Sequence, residues 1–414
     1  MTSPLPKWIG PKKTASATGL THLQNLWRVA LTEDWQAGGF GLYVHWPFCE
    51  AKCPYCDFNS HVTQFIDQDR WAKALAAEVR RYSAKTKGRV LQSIFFGGGT
   101  PSLMLPETVN AVLEATRDDW VWANDIEISL EANPRSVEAA RFRGFADAGV
   151  NRVSLGVQSL NSDDLRRLGR LHDVDEARAA FDIARNQFDR VSFDLIYARQ
   201  DQSLEAWRSE LTEALSMAVD HLSMYQLTIE QGTAFFDRAQ RGKLRGLPGE
   251  DLGADMYDLT QELCDAAGMP AYEVSNHARP GAESRHNLIY WNYGDYVGVG
   301  PGAHGRVTLG GQKYATVAAM QPGKWIEMAE AGSADVEFEA LTGDDQASEY
   351  IMMGLRILDG IDTARVRKLS ASALPQDEID HLIDLGLLWQ NGATLGATPR
   401  GRLVLNSIIP ELMP

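Results

Sequence analysis

The stretch "CEAKCPYCDFNS" (49–60) sets three cysteines at spacings of four and three, then offers no further thiol until Cys264. Its surroundings set the fold. Just before it runs "GLYVHW" (41–46), and short apolar runs recur as "SIFF" (93–96), "IEISLEA" (126–132), "RVSLGVQ" (152–158), "VSFDLIY" (191–197) and "HLSMYQLTI" (221–229). Amphipathic stretches separate them at 67–82, 106–118, 136–148, 175–187 and 203–218. The first, "DQDRWAKALAAEVRRY", opens on an acidic turn and carries apolar residues at helical spacing. Strands alternating with helices predict an α/β fold with parallel strands and right-handed crossovers. Six such units suit a barrel-like wrap or an open doubly wound sheet, and periodicity does not choose between them. Either fold places its chemistry at the C-terminal ends of the strands. There the chain collects its polar and glycine signals: the cysteines, "GGGTP" (97–101), Glu131, Gln158 and Asp194.

The 414 residues are 44% hydrophobic and 23% charged, ordinary for a globular protein, and allow two or three domains or one large barrel with an appendage. A formal net charge of −15 argues against a general nucleic-acid binder. Four cysteines, three of them within eight positions, are no disulfide framework and point to a reducing, cytoplasmic compartment. No apolar run reaches signal-peptide or membrane-spanning length, so no transmembrane segment is expected.

Residues 1–38 read as a flexible N-terminal extension and 39–235 as the core. A linking region follows at 236–342: the loop "RGKLRGLPGE" (241–250), a helix over 251–268, then the aromatic, glycine-dense "HNLIYWNYGDYVGVGPGAHG" (286–305). Residues 343–414 read as short helices around a hairpin, a mostly helical, winged-helix-like module. With 10 acidic and 6 basic residues over 341–414, it reads as a packing module rather than a DNA reader.

Three readings fit the thiols: a zinc site with a distant fourth ligand, structural thiols, or three ligands of an iron–sulfur cubane with one iron left open. Zinc sites usually draw cysteines in two separated pairs, and no second pair exists here. Cys264, within an amphipathic helix, reads as a core thiol. Consecutive glycines in "GGGTP" serve either a plain turn or close approach of a polar ligand. Glu131, Gln158, Arg170 in "RLGR" and Asp194 are each, singly, ordinary surface or ion-pair residues, but they gather at one end of the expected sheet. His286 in "HNLIYW" is either a core histidine among aromatics or a metal ligand, since neutral imidazole is a common axial ligand of haem.

Cys49, Cys53 and Cys56 form a CxxxCxxC pattern that resembles the radical S-adenosylmethionine superfamily, which implies a partial (β/α)6 TIM-like barrel. The resemblance implies a [4Fe–4S] cluster on the three cysteines, with S-adenosylmethionine chelating the open iron. "YVHWPFC", "PYCDFNSH", "GVQS", "RLGR" and "YQLTIE" resemble the oxygen-independent coproporphyrinogen III oxidase-like family over about residues 40–310. By that resemblance Tyr43, Gly98, Gly99, Thr100, Glu131, Gln158, Arg170 and Asp194 bind S-adenosylmethionine. The true oxidases of this family carry one more cysteine two positions beyond the third, where this chain has Phe58. Its "CDFN" resembles instead the HemW-type haem-chaperone branch, as does "HNLIYW", which fits an HNxxYW pattern. That branch implies haem bound through His286, with His304 and His45 as alternatives, and delivery to haem-dependent, respiratory acceptors without nucleic acid. It also implies a monomer or weak homodimer, with no more than transient contact with a membrane surface. Decarboxylation of coproporphyrinogen III is the alternative activity. One local departure is Ala198-Arg199-Gln200, where relatives show a Gly-Leu-Pro turn.

Overall fold

All six apolar runs become strands, and they lie side by side. In a computed structural model, which describes residues 33–136, 139–372 and 374–413, β1 (Phe40–Trp46) leads into the two-residue strands β2 (Phe48–Cys49) and β3 (His61–Val62). Then come β4 (Val90–Gly98), β5 (Val121–Ala132), β6 (Arg152–Gln158), β7 (Arg190–Tyr197) and β8 (His221–Gln226). β1, β4, β5, β6, β7 and β8 are neighbours in that order, all parallel. Crossover helices include Gln68–Lys85, Pro106–Thr116, Ala139–Ala148, Val174–Gln187 and Leu204–Met217. The extension expected before Gly39 lies outside the described residues over 1–32; Asp34–Ala37 is a short 3-10 turn with Trp35 buried.

The segment read as a linker supplies strands to the same sheet. β9 (Asn276–Ala278) runs antiparallel to β8, while β10 (Asp295–Val299) runs parallel to β1 on the far side. Antiparallel β11 (His304–Leu309), β12 (Gln312–Ala318) and β13 (Asp335–Ala340) continue outward to complete 11 strands. β9 and β13 are the two edges, so the wrap is a partial barrel that its ladder does not close.

Side chains alternate across each strand. Leu42, Val44 and Trp46, with Ile94 and Phe96, are fully buried in a core shared with Trp71, Leu75, Val79 and Leu113 of the helices. The opposite phase carries Tyr43, His45, Phe95, Glu127, Glu131, Ser154 and Asp194, which gives the inner wall its polar character. A second core, with Tyr350, Ile351, Val366, Ile379, Leu388 and Leu405, holds the C-terminal helices around a three-stranded sheet, β14 (Ile361–Asp362), β15 (Leu388–Asn391) and β16 (Thr394–Ala397), ordered β14-β16-β15.

The turn after β7 has a definite conformation built on Arg199. That side chain is buried, pairs with Asp164 at 2.9 Å and with Glu210, and donates to the Ile196 carbonyl. Ala198 (φ 56°) and Asp201 (φ 58°) take the left-handed backbone that glycine usually supplies. Cys264 is fully buried, and burial pushes its thiol up to about 12.

Candidate functional site

At the C-terminal end of the parallel strands lies a cleft of about 740 Å³. Ten of the residues singled out in the sequence line it: Cys49, Cys53, Cys56, Gly98, Gly99, Thr100, Glu131, Gln158, Arg170 and Asp194. Each side chain arrives from a strand end or the loop just beyond, because parallel strands deliver all their C-termini to one edge.

The cysteine loop is pinned from three sides. Thr100 Oγ1 donates to Cys49 Sγ at 3.5 Å, and Arg170 Nη1 to Cys53 Sγ at 3.3 Å, while Arg170 Nη2 holds the Gly156 carbonyl at 2.9 Å. Behind the loop, Phe235 N–H donates to the Pro54 carbonyl at 2.8 Å. Gly169 (φ 69°) is glycine for two reasons: its backbone is left-handed, and a Cβ would stand 2.7 Å from Pro54. Burial raises the thiols of Cys49 and Cys56 above their usual range.

Two carboxyls face each other across the inner wall. Glu131 Oε2 accepts from Gly98 N–H at 3.2 Å, and Asp194 Oδ1 from Ser154 Oγ at 3.2 Å. Burial, then the nearby Asp194, pushes Glu131 up to about 8; burial pushes Asp194 up to about 6, opposed by Ser154, Ser223 and Arg170. Gln158 ends β6 in the left-handed region (φ 71°), a conformation that costs about 1–3 kcal/mol and turns its amide toward the cleft.

Tyr43 does not line the cleft but lies beneath it. Its hydroxyl is 2.9 Å from His45 Nδ1, and burial pushes it far above the usual phenol range. His45 Nε2 in turn meets the Asn59 carbonyl at 2.9 Å. Asn59, whose role the sequence did not disclose, donates from Nδ2 to the carbonyls of Pro301 (2.9 Å) and Met320 (2.8 Å). It thereby fastens the end of the cysteine loop to the turn between β10 and β11. The glycines of "GVGPGAHG" were the only hint: a Cβ on Gly302 would stand 2.7 Å from Asn59 Nδ2, and one on Gly300 would fall on the His45 carbonyl.

His286 stands apart from the cleft. It begins the helix Arg285–Trp291, and its ring stacks on Phe95 (4.6 Å between centroids) and Tyr43 (5.9 Å). Its Nδ1 is buried without a hydrogen-bond partner, and burial lowers the imidazole to about 4. Glu127 anchors that helix: it accepts from Arg285 N–H at 3.0 Å and pairs with Arg152 (3.1 Å) and Arg190 (2.9 Å). In this position His286 is half-buried and packs against the inner wall through Phe95 and Tyr43. His304 is exposed at the start of β11, and Phe58 is exposed at the cleft mouth.

The donor set fits an iron–sulfur cubane. Among the described residues no three His, Cys, Asp or Glu side chains converge on a single point. Three thiols spread over a loop, one beside a guanidinium, suit a centre in which each thiolate meets a different iron. Among the described residues no helix is long and apolar enough to cross a membrane.

Comparison with known proteins agrees with this geometry. Residues 43–209 match the radical SAM superfamily model, and 341–404 match the HemN C-terminal domain. Heme chaperone HemW of Escherichia coli is 38% identical over 380 residues, covering 89% of this chain and 96% of that protein. HemW of Mycobacterium tuberculosis is 37% identical over 379 residues, covering 90% and 95%. Mouse radical S-adenosyl methionine domain-containing protein 1, mitochondrial, is 38% identical over 385 residues, covering 90% and 87%. The structure of coproporphyrinogen III oxidase (HemN) from Escherichia coli superposes with a TM-score of 0.75 at 23% identity, over 94% of this chain and 92% of that one, a likeness of fold.

Proposed function

The chain belongs to the radical S-adenosylmethionine superfamily, in the family that includes the HemW haem chaperones, and on that premise we propose that it binds haem and hands it to haem-dependent proteins. The observation that carries this reading is at the cleft mouth. The position where the related oxidases hold a further thiol is Phe58, 57% exposed, and the remaining cysteine, Cys264, is sealed in the core. A phenyl ring replaces no thiolate, whereas it offers apolar surface to a macrocycle.

Cys49, Cys53 and Cys56 would hold a [4Fe–4S] cluster, with S-adenosylmethionine on its open iron. Together these groups supply one-electron reductive chemistry when bound. Gly98, Gly99 and Thr100 would approach the amino-acid end of S-adenosylmethionine through backbone groups. Glu131, Asp194 and Gln158 offer acceptors for its ammonium and hydroxyls, and Arg170 a fork for its carboxylate. Tyr43 supports this set from below through His45. Haem would be retained by His286 once its helix shifts away from Phe95 and Tyr43. The acceptors are taken to be respiratory haemoproteins, met by a monomer or weak dimer in the cytoplasm.

The test uses protein purified anaerobically with its cluster rebuilt. Haem titration and transfer to an apo-haemoprotein should both succeed, and His286→Ala should shorten haem retention. Conversion of coproporphyrinogen III to protoporphyrinogen would sink the carrier reading.

A further inference from the structure

The segment after the cysteines exposes more apolar surface than its length warrants. Phe58 is 57% exposed, Val62 58% and Phe65 80%. Met320, 62% exposed, sits beside them, because its carbonyl accepts from the Asn59 amide at 2.8 Å. Three of these exposed apolar side chains fall within eight residues and the fourth is tied to the same segment, and exposed apolar surface gathered in this way marks a place that something covers.

A nitrogen ligand stands next to it. His61 Nε2 lies 3.0 Å from Asn59 Oδ1. Both protons of the Asn59 amide are committed to the carbonyls of Pro301 and Met320, so Oδ1 only accepts. His61 Nε2 therefore carries the ring proton, and Nδ1 keeps its lone pair. A neutral imidazole oriented through its other nitrogen is how metal-ligating histidines are prepared. Lys52 stands near this ring. Lys52 itself is exposed and offers a cation to a carboxylate.

We infer that haem first docks on this rim, its ring against Phe58, Phe65 and Met320, its iron taken by His61 and a propionate by Lys52. The inference rests on the haem-carrier reading and gives that function an entry and exit station. The occupant follows from the combination of features: a flat apolar face, an imidazole lone pair and a cation together recognise a metallated macrocycle bearing carboxylates. His286 does not serve this first step, because its ring is stacked on the inner wall. From the rim, one face of the macrocycle stays open to an acceptor protein.

Stopped-flow haem uptake by the full-length protein, followed in the Soret region, tests this. Wild type should show an early ligated species. His61→Ala should abolish that species and slow uptake about ten-fold. His61→Gln keeps a donor for Asn59 while lacking imidazole, so the same loss there assigns the effect to ligation rather than loop folding. Phe58→Ser and Lys52→Glu should each slow uptake a few-fold. The early species should persist in His286→Ala and His304→Ala. An unchanged early spectrum in His61→Ala, or its loss in His304→Ala or His286→Ala instead, overturns the inference and leaves the carrier function standing. Failure of wild type to take up haem at all overturns the carrier reading itself.

Discussion

Glu131 shows how one side chain ties the cleft to pH. Held at about 8 in the folded chain, it sits well above the roughly 4.3 of an unperturbed glutamate. A carboxyl with a raised folded pKa binds its proton more tightly when folded. Its contribution is therefore complete below the unfolded value and is lost as pH rises through about 8. Asp194, at about 6, adds the same trend over a lower window. The cofactor-free protein should thus melt at progressively lower temperature between pH 5 and 8, and Glu131→Gln should flatten most of that slope. Parallel pH profiles for the two proteins would refute the assignment. The strand-end polar residues were legible in the sequence because parallel strands gather them at one edge. Asn59 and His45 were not, since their roles depend on contacts with backbone carbonyls: Asn59 reaches residues 242 and 261 positions away.

Among the elements, the β10–β11 turn bears on the cluster loop most directly. Gly300 (φ 106°) packs against the His45 backbone so closely that no side chain fits. Gly300→Ala should push this turn away from Asn59, destabilise the protein by about 1–3 kcal/mol and reduce iron retained per chain after reconstitution. Wild-type iron content in that variant would show the turn to be dispensable. Helices such as Gln68–Lys85 were readable from their 3.6-residue period, and the six parallel strands from their β-branched runs. β10 was not. "DYVGV" is short and glycine-bearing, and what makes it a strand is its pairing with β1, more than 250 residues earlier.

Across the whole molecule, the C-terminal helices are bound to the barrel by polar contacts that would be orphaned without them. Arg306 pairs with Glu349 at 2.7 Å, Tyr293 donates to the same carboxylate at 2.8 Å, and Arg365 Nη1 holds the Asn292 carbonyl at 2.8 Å. Tyr293 also lies within the second apolar core. Ending the chain at residue 342 should therefore yield aggregated material, because half-buried charges and apolar surface lose their cover together. A monodisperse, cooperatively melting fragment on size exclusion would contradict this. The winged-helix-like order of these elements was visible in sequence, but their attachment was not, because its partners lie on both sides of the boundary.

The unclosed ladder has a consequence for what the barrel admits. A closed β-barrel has its girth fixed by strand number and stagger, and widening it breaks hydrogen bonds. Here the wrap ends at β9 on one side and runs on past β10 on the other. The helix Arg285–Trp291 packs instead on β1, β4 and β10, held at its start by Glu127. Because no ladder joins the two ends of the wrap, a displacement of this seven-residue helix would enlarge the lumen without unzipping a single pair of parallel strands.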